Sequence, residues 1–594
     1  METIKQFLKG MELDRPTLLI GVSCAGGAVA AVALARALGS RVKAKDKIRR
    51  ARARRLDSLQ RAEQRVARHG EAHPKMDSAL ILTLSLPELT KQLKEDLLSP
   101  EDVFYTYLEK TLSVNKRLNC CTGILLESID QLKVLSSRKG GLLYGVPVSI
   151  KENTSYKNHD SSCGLVVNVD QPAREDSVVV QVLKKQGAIP FVKTNLPQGL
   201  LSFDCSNPIY GQTVNPHNLG KTPGGSSGGE AALIGGGGSL LGIGSDIGGS
   251  VRIPASFCGI CGFKPTSGRI SSLGQIPSYR GQKSILSSVG PMAKDVDSLA
   301  LCMEALLCDH MFYLDPTIPP MPFNTQIFRS TKPLRIGYLL NDGYTQPSPS
   351  MARGVWEVKA LLQQAGHTLV PYSPVKVADV ATELVIKGVF ADGTASLLQK
   401  LEGGPVDPCL GSHIALYKIP KWLKKVFSFV LKPLSPRASA FLSALCGVGS
   451  AQGLWKQHAA VEDYIYETVA EWRRCNIDVL LCPVIGPAYN FSYCAKATHS
   501  ISYTMLYNLL NFPAGVVPVS TVTAEDEEEL KNYTGLYRDV FDKMFKKAVA
   551  GGEGLPVSVQ CVALPWQDEL CLRFMKEVEQ LVQQNKKPDL QEAR

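Results

Sequence analysis

Two glycine-rich loops, each containing a serine, constrain this chain more than any other feature of its sequence. The first loop is Gly224–Gly229 and contains Ser226, and the second is Gly244–Ala255 and contains Ser250, which lies 24 residues further along. Because glycine has no Cβ atom, such loops bend tightly and present backbone N–H groups to a reacting atom at short range. The sequence therefore predicts a fold that brings two loops together around a hydrolytic site without a histidine.

Ser250 is the predicted nucleophile. A serine hydroxyl is a weak nucleophile at its free pKa, so it needs a base within hydrogen-bond reach. Lys151 is the predicted base, because it follows the apolar stretch 142–150 and burial disfavours the ammonium form of a lysine. Ser226 is predicted to relay the proton between Lys151 and Ser250. The predicted oxyanion donors are the backbone N–H groups of Ile247, Gly248, Gly249 and Ser250.

Lys151, the Gly-Gly-Ser-Ser-Gly-Gly loop and the run Gly-Ser-Asp-Ile-Gly-Gly-Ser-Val-Arg-Ile-Pro-Ala follow one another in an order and spacing that resemble the amidase signature family. The resemblance covers roughly residues 90–594. It implies that Ser250 forms the acyl-enzyme, that Ser226 bridges to the base after a cis peptide bond, and that Lys151 is the base. It also implies a homodimer and a supporting network that contains Ser227, Asp246 and Arg252, although the last two could equally form an ion pair without a chemical role.

Other motifs of the sequence do not predict a second chemistry. Gly220–Thr222 lacks the first glycine of a phosphate loop, and Ile247 stands where a dinucleotide-binding loop needs its third glycine. His217 lies in a turn-like stretch, where exposed histidines are more common than catalytic ones. Cys258 and Cys261 have the spacing of half a zinc site, but the nine histidines are scattered singly. We therefore predict buried structural cysteines, no metal and no cofactor.

The catalytic part of the chain, residues 91–594, is predicted to have an α/β fold. A chain of 594 residues with 44% hydrophobic residues is long and apolar enough to bury a large core. Apolar runs at 188–192 and 479–484 are typical of buried strands between helices. They favour a central twisted mixed β-sheet covered by helices on both faces, which is also the fold that the family resemblance implies. A helix is predicted to begin at Gly229, beside the Ser226 loop.

The N-terminal segment, residues 1–38, is predicted to contain one transmembrane helix at about residues 17–38. Thr17–Ala35 is an uncharged run of 19 residues, long enough to cross the bilayer core, although a signal peptide is an alternative. Arg41–Arg55 follows with nine basic residues and one acidic residue, a stop-transfer pattern that favours the membrane helix. By the positive-inside rule the catalytic domain then faces the cytosol. The cysteines agree with this orientation, because their spacing does not predict the disulfide framework of a secreted protein.

Residues 39–90 are predicted to form a basic juxtamembrane helical linker. Arg41–Arg55 accounts for eight of the eleven net positive charges of the chain, so the basicity is local. Such a cluster either meets anionic lipid or belongs to a solvated helix. No base-reading or stacking element accompanies the cluster, so no nucleic-acid partner is predicted.

A second membrane-binding segment is predicted at 421–432, within a cap that the family resemblance places at roughly residues 413–445. As a helix this segment has two faces. The apolar side comprises Trp422, Leu423, Val426, Phe427 and Val430, and the opposite side comprises Lys421, Lys424, Lys425, Ser428 and Lys432. A helix that lies in the lipid interface has this pattern, but an ordinary surface helix that faces the core has the same period.

Together these features predict a membrane-bound serine hydrolase of the endoplasmic reticulum or other endomembranes. The resemblance implies that the enzyme cleaves amides of long-chain fatty acids, such as fatty acyl ethanolamides and primary fatty amides. The predicted partners are these lipids, the bilayer and a second copy of the chain.

Two alternatives stay open. A small-amide amidase or the glutaminase subunit of a transfer-RNA amidotransferase would keep the chemistry, and a catalytically inactive membrane scaffold would not.

Overall fold

A mixed sheet of eleven strands forms the centre of the computed structural model, which describes residues 15–74 and 76–586. In chain order the strands are β1 (Cys121–Ile124), β2 (Pro147–Lys151), β3 (Ile189–Thr194), β4 (Leu241–Asp246), β5 (Cys261–Lys264), β6 (Ser288–Ala293), β7 (Arg335–Tyr338), β8 (Thr368–Pro371), β9 (Val479–Pro483), β10 (Ala514–Thr521) and β11 (Pro556–Ala563). In space they follow the order β1-β3-β2-β4-β6-β5-β10-β11-β9-β7-β8. A separate ladder pairs Ser206–Asn207 with Gly211–Gln212.

The middle of this sheet positions the two halves of the predicted site. Strand β2 is parallel to both of its neighbours, β3 and β4. Ile150 of β2 pairs with Ile243 of β4, so Lys151 and Asp246 leave the sheet at the same edge. The carboxyl ends of adjacent parallel strands are where α/β proteins commonly place their binding sites.

The helices are spread along the whole described chain. They are α1 (Arg15–Ala72), α2 (Ser78–Thr83), α3 (Leu86–Lys94), α4 (Pro100–Leu118), α5 (Ser128–Val134), α6 (Val178–Lys185), α7 (Gly228–Gly235), α8 (Arg252–Cys258), α9 (Val296–Leu306), α10 (Asp309–Leu314), α11 (Thr325–Phe328), α12 (Pro349–Gln364), α13 (Val377–Asp379), α14 (Lys387–Val389), α15 (Ala395–Leu401), α16 (Gly411–Lys418), α17 (Lys421–Leu431), α18 (Pro436–Ala444), α19 (Ala451–Arg474), α20 (Ser502–Leu509), α21 (Ala524–Leu530), α22 (Val540–Val549) and α23 (Asp568–Lys586). A π-helical segment, Val380–Ile386, joins α13 to α14.

Helices cover the sheet on both faces. Leu481 of β9 and Val355 of α12 belong to one hydrophobic core, whereas Leu480 of β9 and Leu506 of α20 belong to a second core. Successive side chains of a strand point to opposite faces of the sheet, so both faces of β9 are packed against helices. This arrangement confirms the predicted α/β fold with a mixed central sheet.

Side-chain caps define where several of these helices begin. Ser177 accepts a hydrogen bond from Val180 N at the start of α6, and Ser348 accepts one from Met351 N at the start of α12. Pro349 occupies the first turn of α12, where its missing N–H costs no helical hydrogen bond. A cap of this kind contributes about 1 kcal/mol by satisfying a free N–H group.

The long helix α1 places part of the basic run against residues 91–594, the predicted catalytic domain, which we call the catalytic body. Arg50 Nη2 lies 2.7 Å from Asp170 Oδ2, and Arg54 Nη2 lies 2.8 Å from Asp160 Oδ2. Arg52 Nε donates to a backbone carbonyl of the body at 2.8 Å. These arginines therefore contact residues 91–594, although the side chains of Arg50 and Arg54 stay about half exposed to solvent. The acids that receive them are distant in sequence, so counting charges along the run does not reveal the contact.

Within residues 39–74 and 76–586 of the described chain, no helix combines the length and the apolar character that crossing a membrane requires. The side chains of residues 15–38, which include the predicted transmembrane segment 17–38, lie outside the described part of the structure.

Candidate active site

Lys151 ends strand β2, and its amine occupies the buried centre of the site. The Nζ atom lies 2.7 Å from Ser226 Oγ, 3.0 Å from Ser245 Oγ and 3.3 Å from Ser245 O. The side chain is fully buried. Burial lowers the pKa of Lys151 to about 7, because the ammonium form loses its hydration. At neutral pH a large fraction of the amine is therefore uncharged and able to accept a proton from Ser226.

The Ser226 loop consists of glycines because neighbouring backbone passes too close for side chains. Gly224 has φ of +79°, and a Cβ on this residue would lie 2.8 Å from Pro254 Cα. A Cβ on Gly225 would lie 2.4 Å from Ser202 O. The peptide bond between Gly225 and Ser226 is cis, as the family resemblance implies. The glycines thus allow the loop to approach the backbone beneath it and hold Ser226 against the lysine.

Glu230 lies in the first turn of α7, directly after the Ser226 loop, and is a buried acid that sequence reasoning did not identify. It accepts hydrogen bonds from Ser149 Oγ at 2.5 Å and from Thr194 Oγ1 at 2.8 Å. Burial raises the pKa of Glu230 to about 8. At neutral pH this acid is therefore mostly protonated, and it adds little negative charge that would stabilise the ammonium form of Lys151.

Ser250 is partly exposed at the edge of the site. Its carbonyl accepts a hydrogen bond from Ser227 N at 3.1 Å, which fastens the second loop to the first. Ser227 Oγ also accepts a hydrogen bond from Ser245 N at 3.4 Å. The Ser250 hydroxyl forms no hydrogen bond within the described part of the chain. The structure therefore joins Lys151 to Ser226. The second contact of the predicted relay, a hydrogen bond between Ser226 and Ser250, is absent among the described residues. Catalytic hydrogen bonds are often long before substrate binds.

The predicted oxyanion donors differ in their partners. Gly249 N donates to Asp246 Oδ1 at 2.8 Å, so this N–H group is already bound and is not free for a substrate oxygen. The N–H groups of Ile247, Gly248 and Ser250 donate to no acceptor in residues 15–74 and 76–586. Gly249 has φ of +124°, a conformation that favours glycine. Three of the four predicted donors thus have N–H groups available to a substrate oxygen, and Gly249 instead shapes the loop.

Asp246 and Arg252 form a buried ion pair beneath the second loop. Arg252 Nη2 lies 3.0 Å from Asp246 Oδ1, and both side chains are 0% exposed. Arg252 also donates to Asn508 Oδ1 at 2.6 Å and to Gln560 Oε1 at 2.7 Å. Burial alone raises the pKa of Asp246, but the Arg252 guanidinium outweighs this effect and holds the pKa well below its usual range. Asp246 and Arg252 therefore form a buried ion pair, and Arg252 also belongs to a hydrogen-bond network of the kind that the resemblance implies.

Sequence reasoning missed three further residues of the site. Ser245 supplies two of the contacts of Lys151, and its position directly before Asp246 in the second loop was an available signal. Asn508 and Gln560 lie 256 and 308 residues from Arg252. No local spacing indicates a contact at such separations, because it arises only when α20 and β11 pack against the loop.

The cysteine pair and the loop histidine stay outside the site. Cys258 and Cys261 are both buried, as predicted for structural cysteines. The Sγ atom of Cys261 lies 3.6 Å from Glu579 Oε1. His217 Nε2 lies 2.8 Å from Cys258 O, so this histidine is bound to the backbone and not to a catalytic serine.

Helix α17 turns its apolar side chains away from the core. The exposed apolar residues of α17 and of the turn that follows it, which we call the outer face of α17, are Trp422, Val426, Phe427, Phe429, Val430 and Leu434. Leu423 is half-buried. Lys424 departs from the predicted polar side, since it is buried and its ammonium donates to Tyr417 O at 2.9 Å. Ser428 Oγ donates to Ser439 O of α18 at 2.9 Å. Lys424 and Ser428 therefore lie on the inner side of α17 together with the half-buried Leu423 and Leu431, while most of its apolar side chains face away from the core.

Replacing Arg252 with leucine is expected to lower the free energy of unfolding by about 3–5 kcal/mol, because the substitution leaves the buried Asp246 carboxylate without a counter-charge. The exposed pair of Lys133 and Asp130 offers a matched control, and Lys133→Ala is expected to change the free energy by less than about 1 kcal/mol. Urea denaturation of both variants beside the unchanged chain measures the difference. Equal, small effects in the two variants would contradict the structural role of the buried pair.

The chain is similar to known proteins along most of its length. The family model "Amidase" matches residues 102–572. "Fatty-acid amide hydrolase 1" of Sus scrofa is 50% identical over 568 residues, which are 96% of this chain and 97% of the pig protein. "Vitamin D3 hydroxylase-associated protein" of Gallus gallus is 52% identical over 462 residues, which are 78% of this chain and 99% of the chicken protein. A solved structure, "Fatty acid amide hydrolase", superposes with a TM-score of 0.74 at 25% identity and covers 90% of this chain and 95% of its own.

Proposed function

This chain belongs to the amidase family, and on that premise we propose that it hydrolyses amides of long-chain fatty acids through an acyl-enzyme on Ser250. The observation that carries the substrate class is the 50% identity to the pig fatty-acid amide hydrolase 1 over 96% of this chain. The contact that supports the chemistry is the 2.7 Å hydrogen bond between Lys151 Nζ and Ser226 Oγ. A hydrolase of this kind yields a free fatty acid and an amine or ammonia.

The first half of the reaction forms the acyl-enzyme. The uncharged Lys151 amine takes the proton of Ser226, Ser226 takes the proton of Ser250, and Ser250 Oγ attacks the amide carbonyl carbon. The carbonyl oxygen gains negative charge, which the N–H groups of Ile247, Gly248 and Ser250 stabilise. These donors are backbone groups held by the buried pair beneath the loop, so they need little reorganisation as the charge develops.

Departure of the amine is the demanding step, because an amide leaving group is strongly basic and needs a proton. Ser226 delivers its proton to the amine nitrogen, and the Lys151 ammonium restores the proton of Ser226. A water molecule then attacks the ester carbonyl of acylated Ser250, with the uncharged Lys151 again accepting a proton through Ser226. The fatty acid leaves, and both serines recover their hydroxyl protons.

Ser250→Ala is expected to lower the hydrolysis of oleamide by a factor of about 10⁴ or more while the fold persists, because the nucleophile is lost. Ser137→Ala, at an exposed serine outside the site, is the matched control and is expected to retain full activity. Release of oleic acid measures the rate, and circular dichroism checks the fold. Near-normal turnover by Ser250→Ala would contradict the mechanism, and hydrolysis of glutamine in preference to oleamide would favour the small-amide alternative.

The kcat/KM of the unchanged chain is expected to rise as the pH rises through about 7, because only the uncharged amine of Lys151 accepts a proton. Lys151→Ala is expected to lose at least about 100-fold at neutral pH and to lose this inflection, with partial recovery in alkali where hydroxide replaces the base. Steady-state rates across the pH range measure both effects.

Lys264 is a matched control for this experiment. It is also buried with a pKa lowered by burial to about 7, but its amine donates to Pro265 O at 3.1 Å and not to a serine. Lys264→Met is therefore expected to keep the inflection near pH 7. Loss of the inflection in Lys264→Met together with its retention in Lys151→Ala would reverse the assignment of the base.

The outer face of α17 is proposed to enter the lipid interface, where a long-chain substrate would be collected. Trp422 is 68% exposed, Phe429 is 79% exposed and Leu434 is 77% exposed, an apolar surface that a soluble monomer rarely leaves uncovered. Lys421, Lys425 and Lys432 are exposed beside it and suit contact with lipid headgroups. The transmembrane segment at 17–38, a location in endomembranes and a homodimer belong to the same proposal through the sequence and the family resemblance.

Brominated lipids, which quench nearby tryptophans, test this membrane contact. In vesicles that contain them, quenching of the protein's tryptophan fluorescence is expected to fall in Trp422→Phe, because Trp422 lies at the acyl boundary. Trp356→Phe removes another exposed tryptophan, on α12, and is expected to leave the quenching unchanged. Both variants are expected to hydrolyse a short soluble amide at the rate of the unchanged chain. The same quenching in Trp422→Phe as in the unchanged chain would reject the contact.

A further inference from the structure

We propose that His69, His73 and Asp102 bind a divalent transition-metal ion, with zinc as the best fit, at the junction of α1 and α4. The site lies outside the catalytic residues and is independent of the proposed hydrolysis. Its role is to fasten the C-terminal end of the long helix α1 to the catalytic body.

The three side chains converge from two helices. His69 lies in the last turn of α1, and His73 N donates to His69 O at 2.9 Å, so the helical turn continues past Ala72. The two imidazole rings stack with their centroids 4.2 Å apart. Asp102 comes from the first turn of α4, and its Oδ1 atom lies 2.9 Å from His69 Nε2. One potential ligand atom from each of the three residues lies within 4.8 Å of the others.

The ring of His73 has a hydrogen-bond partner for the nitrogen that would not bind the metal. Beside His69, Glu101 Oε1 lies 4.0 Å from Nδ1, which is an ion-pair distance but too long for a hydrogen bond. His73 Nδ1 lies 3.2 Å from His69 O, which favours a proton on this nitrogen and a lone pair on Nε2. Metal-binding histidines usually donate their second ring N–H to a carboxylate or a backbone carbonyl in this way. The backbone contact of His73 Nδ1 thus leaves the Nε2 lone pair available to a metal ion.

The position also favours a cation. Helix α1 ends at this point, and the carbonyl groups of its last turn carry partial negative charge. His69 is 6% exposed, whereas His73 is exposed, so the cluster has one buried side and one side open to water. A site with three protein ligands and one water molecule needs this combination.

Two imidazoles and one carboxylate are a ligand set that zinc accepts. With bonds of about 2.0–2.2 Å, tetrahedral ligand atoms lie roughly 3.3–3.6 Å apart. The 2.9 Å separation of His69 Nε2 and Asp102 Oδ1 is therefore roughly half an ångström shorter than zinc requires, so these two side chains move apart slightly when zinc binds. A proton on Nε2 accounts for that contact when no metal is bound. When zinc binds Nε2, the neutral imidazole carries this proton on Nδ1 instead. The exposed His73 ring can rotate to close the remaining distance.

The prediction of no metal from the sequence treated the histidines as isolated. His69 and His73 are four residues apart, a spacing that places two side chains on the same face of a helix. Asp102 joins them only because α4 packs against α1, and nothing in the local sequence indicates that packing.

Metal content of the full-length chain tests the site directly. The purified chain is stripped with a chelator, titrated with zinc alone, desalted and analysed for zinc by inductively coupled plasma mass spectrometry. The unchanged chain and the control His310→Ala, which alters a histidine elsewhere on the body, are expected to retain one tight zinc per chain. His73→Ala, which changes an exposed ring, and Asp102→Asn, which keeps the side-chain shape, are each expected to weaken the binding by at least about tenfold.

A second measurement separates this site from adventitious binding to cysteines. Cobalt in place of zinc is expected to give visible absorption without a sulfur-to-cobalt charge-transfer band, because no thiolate is a ligand. The inference is overturned if the unchanged chain retains no zinc, if His73→Ala and Asp102→Asn bind zinc as tightly as the control, or if the charge-transfer band appears. Because none of these measurements uses amide hydrolysis, failure of the zinc site and failure of the proposed function are distinguishable.

Discussion

Removal of the Lys151 amine from water is the interaction on which the rest of the site depends. A shift of its pKa from 10.5 to about 7 corresponds to a penalty of about 5 kcal/mol on the ammonium form. Strand β2 is buried along its whole length, and Lys151 at its end is covered by the loop that contains Ser226. The packing of the sheet therefore converts a residue that is normally charged into a base at neutral pH. A histidine is unnecessary for this role, because desolvation gives the lysine a pKa near 7, which is close to the ordinary pKa of an imidazole.

The same region holds a second buried cation with the opposite outcome. Arg252 is paired with Asp246 and hydrogen-bonded to Asn508 and Gln560, so its charge is compensated and the second loop is anchored to distant parts of the fold. Among the described residues no carboxylate forms an ion pair with Lys151. The paired charge of Arg252 holds the loop that carries the backbone donors. Lys151 has no such partner in the described part of the chain, so its amine is largely uncharged at neutral pH and can accept a proton. This division explains how one edge of the sheet supports both a rigid oxyanion site and a proton acceptor.

The predictable parts of the molecule are those with local signals. Glycine spacing identifies the two loops, and the apolar stretch before Lys151 predicts its burial. Apolar runs predict the mixed sheet. The remaining features depend on packing between distant segments. The helical period of α17 groups its side chains into two faces but does not tell which face meets the protein, so the burial of Lys424 was missed. For the same reason Gln560, which reaches Arg252 from β11, could not be inferred from spacing along the chain.

Covalent trapping of the full-length chain tests whether Ser250 is the nucleophile and Lys151 its base. A long-chain acyl fluorophosphonate is allowed to react at a series of pH values, and peptide mass spectrometry then locates the adduct and measures its rate of formation. The account predicts a single adduct on Ser250, formed at a rate that rises through pH about 7 as the Lys151 amine loses its proton. An adduct on any other residue, or a rate that stays constant between about pH 6 and pH 8, would contradict a mechanism based on an uncharged buried lysine.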